Sequence, residues 1–229
     1  MLVPVFFLKE NKYAQQQKEQ ISPLKSLKSV WGFLPFRRFV IADMLYWLAL
    51  TFIQTGVSYY IIVLMGLEKS YASQFMVIAF IVSLMCYGLV NFLVPRFGKK
   101  AILSLAFILL AAIFGVTSFS SFLPSKPIFY LLAITSGFPI AVFSIVPNAI
   151  IADMVHLYQD SSGKQLSAMF FGVRNFGMKF GMSVANLIFP SLILLGKSAE
   201  NPLGVQLAAG LAFFICLSGY FIFRTVKTD

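Results

Sequence analysis

Charge is scarce in this sequence. Only 11% of the residues are Asp, Glu, Lys or Arg, against about 25% in an average soluble domain. With 59% hydrophobic side chains and a mean hydropathy of +0.85, there is too little polar material to coat a soluble globule. That excludes the soluble class and leaves a polytopic membrane protein. Histidine and acid are scarcer still, with one His and eight Asp plus Glu. No phosphate-binding loop and no H-E-x-x-H occurs. The lone His156 is expected in a loop, with no nucleophile or carboxylate arrangement around it. These absences exclude the familiar catalytic constellations, so the chain is not read as an enzyme, and no metal or cofactor is expected.

Cysteine is almost missing. Cys86 and Cys216 both sit in apolar runs without metal-ligand spacing, and read as reduced core or lipid-facing side chains. A secretory leader is not apparent either: "MLVPVFFLKENK" has no basic n-region, its apolar part is short, and no small-residue cleavage site follows. "MLVPVFFL" is too short to span, and reads as the tail of a preceding helix or an interfacial anchor. The net charge of +10 would point to nucleic acid in a soluble protein. Here the Lys and Arg cluster at the ends of apolar runs, and no arginine-rich helix or RNA-binding fingerprint accompanies them, so no nucleic-acid partner is expected.

What the sequence has is apolar length. A helix needs about 20 apolar residues to cross a bilayer. Six runs qualify, at about 39–65, 73–95, 101–123, 127–152, 166–195 and 205–223. The expected fold is therefore all-α, one six-helix transmembrane bundle over 39–224. A basic lead-in (1–38) precedes it and a short tail (225–229) follows. The stretch 9–38 is expected to hold a short amphipathic helix on the membrane surface. Short connections predict that consecutive helices are antiparallel neighbours. One set of loops and ends carries thirteen Lys or Arg and the opposite set three, with Arg174 and Lys179 inside a helix. The bias predicts an integral protein with both termini cytoplasmic, in the plasma (inner) membrane.

Polar residues inside the runs are few, and they fall in stripes. At about 100° per residue, Asn175, Lys179 and Asn186 share one face of the fifth run, and Gly177 and Gly181 lie on the other side, where a neighbouring backbone can approach. A central lysine costs about 2.5–3.5 kcal/mol on insertion scales, which points to a water-filled cavity or an acidic partner for Lys179; the alternative is snorkelling to the interface. Arg174 lies off the stripe and nearer the cytoplasmic end, with snorkelling, loop pairing and a functional role all open. In the first run Asp43, Trp47, Thr51, Gln54 and Ser58 form a second stripe, the pattern of a helix lining an aqueous path. Asp43 also fits an interfacial carboxylate, and Trp47 an aromatic-belt residue or a platform for a sugar's apolar face. In the fourth run Pro139 and Pro147 remove backbone donors and are expected to kink the helix, while Gly137, Ser144 and Asn148 share a face. Broken helices of this kind occur at transporter sites; a purely structural kink is the alternative.

Two stretches carry a family resemblance. "PRFGKK" (95–100) looks like the basic cytoplasmic loop of the major facilitator superfamily. "PNAIIADMVHLYQDSSGKQLSAMFFGVRNFGMKFGMSVAN" (147–186) resembles the glycoside–pentoside–hexuronide:cation symporters, the melibiose permease-like family. Ala152, Asp153, Gly163, Lys164 and Lys179 match its alanine–aspartate pair, Gly-Lys loop and central lysine. "ISPLKSLKSVWGFLPFRRF" resembles the middle cytoplasmic loop. Two features depart from the pattern: His156 stands where a second acid is usual, and "QLSA" (165–168) replaces a basic–basic–acidic–glycine run.

The resemblance covers nearly the whole chain but only the carboxy-terminal half of a twelve-helix transporter. It implies two inverted three-helix repeats and alternating access for a sugar or glycoside-like solute, coupled to Na+ or H+. The family's cation-binding aspartates lie on amino-terminal helices. A separate amino-terminal half or a second copy is therefore an expected partner beside the lipid bilayer, and the chain alone is expected to be incomplete. The implied pathway residues are Lys179, Asn175, Asn186, Asn148, Trp47, Gln54 and Asp43. Asp153, Arg96, Lys99, Lys100, Lys164 and Arg174 form the cytoplasmic gating and loop set. Alternative readings are an accessory or relic membrane protein whose polar groups pair with each other, and a transporter of lipid or another solute.

Overall fold

The computed structural model describes residues 22–226. The opening "MLVPVFFL" and most of the basic lead-in lie outside them. Seven α-helices follow in order: α1 (Pro23–Gly32), α2 (Leu34–Leu64, its last turn π-helical), α3 (Ser70–Phe97), α4 (Lys99–Ser118), α5 (Ser125–Ser162), α6 (Ser167–Ile193) and α7 (Leu203–Arg224), with a 3-10 turn (Ser120–Phe122) between α4 and α5. The last six are long and apolar enough to cross a membrane, and no strand occurs among the described residues. The chain is an integral membrane protein built as an all-helical bundle.

Local chemistry sets several boundaries. Pro occupies the first turn of α1 and of α2, where its missing N–H costs nothing and its fixed φ suits a helix start. α2 thus begins five residues earlier than the apolar run. α5 has 38 residues, a length of about 57 Å, far more than the roughly 30 Å of a bilayer's hydrocarbon. It therefore continues past the apolar run, and His156 is an exposed helical residue and not a loop residue. Apolarity marks only the buried part of a helix; the polar remainder is held by its own ladder until Gly163, at φ 68°, turns the chain and donates its N–H to the Gln159 carbonyl. α5 also runs unbroken through Pro139 and Pro147.

The expectation that consecutive helices are neighbours needs correction. α2 and α3 scarcely touch, and of the consecutive spans only α4 and α5 pack extensively. The main contacts are α4 with α7, α2 with α6, α3 with α5 and α2 with α7. Short loops dictate that chain direction reverses, but not which faces meet. That choice falls to small residues that let helices approach. A Cβ on Gly181 would lie 2.6 Å from the Met44 carbonyl oxygen, and one on Gly137 2.9 Å from the Ser83 nitrogen. So α6 lies against the α2 backbone and α5 against that of α3.

This contact pattern has a symmetry. Exchanging α2, α3 and α4 for α5, α6 and α7 maps the α2–α6 contact onto α5–α3, α2–α7 onto α5–α4, and α4–α7 onto itself. Burial follows the same exchange. In their most apolar stretches α2 and α5 are 61% and 56% buried, while α3 and α6 are only 17% and 22% buried. Because each repeat has three spans, the second starts on the opposite side from the first. The bundle is thus two three-helix repeats of inverted topology, with α2 and α5 inside and α3 and α6 carrying open faces.

Phenylalanine fills the interior: Phe36, Phe39, Phe52, Phe107, Phe129, Phe170 and Phe223 are all fully buried. Tyr46 and Phe143 stack across α2 and α5, with centroids 3.4 Å apart.

The α2–α6 seam should be the least forgiving. Gly181→Val is expected to destabilise the bundle by about 1–3 kcal/mol through overpacking, whereas Gly172→Ala, whose Cβ meets nothing within 4 Å, should leave it unchanged. Thermal unfolding in mild detergent measures both.

Candidate functional site

Two sets of polar groups in the spans stand out. The first is closed. Asp43 on α2 and Arg174 on α6 form an ion pair with Nε–Oδ2 at 3.0 Å, and their side chains are only 2% and 8% exposed. A second, longer contact joins Nη2 to Oδ1 at 3.4 Å. Arg174 Nη1 also donates to Asn148 Oδ1 on α5 at 2.9 Å, and the Asn148 amide donates to the Ser144 carbonyl. One guanidinium thus ties three helices together. The planar fork suits this task, since it can serve two acceptors at once. The indole of Trp47, half-buried one turn along α2, has its Nε1 beside the Asp43 carboxylate without reaching full hydrogen-bond geometry.

The second set is open. Asn175, Lys179 and Asn186 are exposed on α6, and their side chains make no hydrogen bond or ion pair among the described residues. Lys179 is twelve residues into a helix of 27, near mid-span. Gly177 and Gly181 are buried on the far side, so the close-packing face and the polar face are opposed on α6. Gln54 on α2 is also exposed.

The expected α2 stripe divides. Asp43 and Thr51 are buried, Trp47 and Ser58 half-buried and Gln54 exposed. Thr51 returns its hydroxyl to the Trp47 carbonyl at 2.7 Å, which satisfies it inside its own helix. Gly137, Ser144 and Asn148 divide likewise: Gly137 is buried against α3, while Ser144 and Asn148 are exposed. Helical angle alone cannot show where along its length a helix becomes covered.

The basic loops have work of their own. Lys99 Nζ pairs with Asp153 Oδ2 at 2.5 Å and reaches the Ala149 carbonyl, tying the start of α4 to α5. Lys100 donates to the Val226 carbonyl and Arg38 to that of Thr225. Both thus cap the carbonyl end of α7, where cations are favoured. Arg96 stacks on Phe92, 3.8 Å from the ring centroid. Lys164 is exposed in the α5–α6 loop.

The Asp43–Arg174 pairing was missed in the sequence, although a signal was present. Asp43 lies nine residues into α2 and Arg174 seven into α6, depths of about 14 and 10 Å from the same basic end. Opposite charges at similar depth in an apolar medium are natural partners.

Removing either partner leaves a buried charge uncompensated. Arg174→Leu should cost about 3–5 kcal/mol, and the Asp43→Asn, Arg174→Leu double variant clearly less than the sum of the two singles. A double-mutant cycle in denaturing mixed micelles reads the coupling; strict additivity would remove the pair from the stabilising core.

A family model described as MFS/sugar transport protein matches residues 2–223. No curated protein matches the chain.

Proposed function

We propose, since the chain belongs to the MFS/sugar transport protein family, that it is one six-helix half of a secondary transporter for a sugar or glycoside-like solute. In this reading it is the carboxy-terminal half, of the melibiose permease-like kind. A second bundle completes the transporter, the two rock about a midplane site, and Na+ or H+ supplies the coupling. The family points to transport rather than catalysis.

One observation carries the proposal. The bundle holds two cations well inside its spans, away from the helix ends, and treats them differently. Arg174 is fully paired inside the half. Lys179, deeper and on an open face, has no partner among the described residues. An ammonium near mid-span is expensive in lipid, and cations placed there face an aqueous cavity or an acid. The partner we assign is a carboxylate on the second bundle, brought across a water-filled cleft. Lys179 then shares in the charge balance of the coupling cation, with Asn175, Asn186 and Gln54 as hydrogen-bonding groups of the cavity wall. Asn148 has one foot in each set: its side-chain oxygen is held by Arg174, yet the residue remains exposed. The open faces of α3 and α6, equivalent in the two repeats, offer surface for the second bundle. The loop bias of thirteen cations against three supports cytoplasmic termini in a plasma (inner) membrane.

A second reading draws on the closed set. An accessory or relic membrane protein without substrate predicts that intramembrane polar groups satisfy each other, and Asp43, Arg174 and Asn148 do so. Lys179 does not, which favours the transporter.

Lys179→Leu separates the readings. In the transporter completed by an amino-terminal six-helix bundle, the variant is expected to lose cation-coupled sugar uptake in vesicles, with thermal stability unchanged because no contact within the bundle is lost. Uptake at the parental rate would sink the site assignment. Uptake of a lipid analogue, and not of sugars, by the same vesicles would move the cargo to another class.

A further inference from the structure

The face of α6 that carries Lys179 has a second half. At about 100° per residue, Phe176 lies about 60° from Lys179 and Phe180 about 100°, so the two rings stand beside the polar stripe. Both are exposed, and their rings stack at 6.2 Å. They form one wall of a groove of about 750 Å³ bounded by α1, α2 and α6. Val40 and Met44 of α2 and Leu27 and Trp31 of α1 line the rest of it.

α1 explains why the groove exists. Ser26 and Val30 bury one side of this short helix on the bundle, while Leu24, Leu27 and Trp31 stay exposed on another. A helix held on one face with its apolar edge left open makes a roof without a filling. Lys28 lines the groove, and the exposed Lys25 lies one turn away on the same helix. The groove is otherwise apolar apart from backbone.

Its dimensions are those of one leaflet. On α6 the lining runs from Met169 to Phe180, about 16 Å of helix. Half of a bilayer's hydrocarbon is about 15 Å. An apolar slot of that length on a membrane-spanning bundle, lined by the ammonium-bearing Lys28, has the length and charge of a single lipid site. We propose that the groove binds one anionic phospholipid. An acyl chain lies along Val40, Met44, Phe176 and Phe180, and the headgroup phosphate sits at Lys28 and Lys25. Basic residues at the membrane surface favour anionic over zwitterionic lipids, and Trp31 is suited to the polar–apolar boundary. The site lies beside the Lys179 stripe, does not include Lys179, and does not depend on transport.

Native mass spectrometry of the full chain, with phosphatidylglycerol or phosphatidylcholine of matched chains added to the detergent, tests this. Phosphatidylglycerol is expected to be retained as a single adduct at several-fold higher occupancy than phosphatidylcholine. Lys25→Ala with Lys28→Ala should erase that preference. Gly172→Trp should lower the phosphatidylglycerol adduct several-fold while keeping the fold, because a side chain there enters open space. Lys126→Ala and Lys197→Ala, at the opposite end of the bundle, should change nothing. Equal retention of the two lipids, or an unchanged adduct in Gly172→Trp, overturns the proposal. So does a dimer that Gly172→Trp converts to monomer without affecting lipid, since the occupant would then be a second copy.

Discussion

The backbones of α2 and α6 touch, and much of the rest of the bundle is arranged around that seam. The Met44 carbonyl oxygen lies 2.6 Å from where a Cβ of Gly181 would stand, and a side-chain methyl of Val40 lies 3.0 Å from where one of Gly177 would. At that separation the carboxylate of Asp43 and the guanidinium of Arg174 meet at 3.0 Å with almost no water around them. Without small residues the two helices would stand further apart, and each charge would be left in a medium that penalises it heavily. Close packing and ion pairing are therefore one constraint expressed twice.

The same seam decides what α6 offers elsewhere. With its glycines pressed against α2, the opposite side of α6 faces out, and it is divided lengthwise into amides with an ammonium on one side and phenylalanines on the other. The polar half suits a water-filled cleft against a second bundle, and the aromatic half suits lipid. Exchange symmetry between the two repeats makes α3 the counterpart of α6, and it too is little buried. The closed polar set joins the two inner helices, through Asp43 of α2 and Asn148 of α5, to Arg174 of α6, while the open set is carried mainly by α6.

The basic residues also divide by role. Lys99, Lys100 and Arg38 are spent on holding helix ends together, through Asp153 and the last carbonyls of α7. Arg174 is spent on the interior, and Lys28 lines the groove between α1, α2 and α6. An excess of positive charge on one side of a membrane protein is usually read only as an orientation signal; here much of it has specific mechanical duties as well.

The sequence by itself determined the number of spans, the membrane setting, the basic end and the opposed polar and glycine faces of α6. Each rests on local quantities: apolar run length, helical angle and the position of charge along the chain. Only the tertiary structure decided which helices pack together, that Arg174 belongs to Asp43 and Asn148, and that the α2 stripe is half closed. It also placed His156 on an extended α5 that outlasts its apolar run. The pairing of Arg174 with Asp43 joins residues 131 positions apart, and that with Asn148 joins two different helices. Periodicity reports the face on which a side chain lies; it cannot report what lies opposite that face. In a membrane bundle, what lies opposite decides whether a charge is a strut or half of a site.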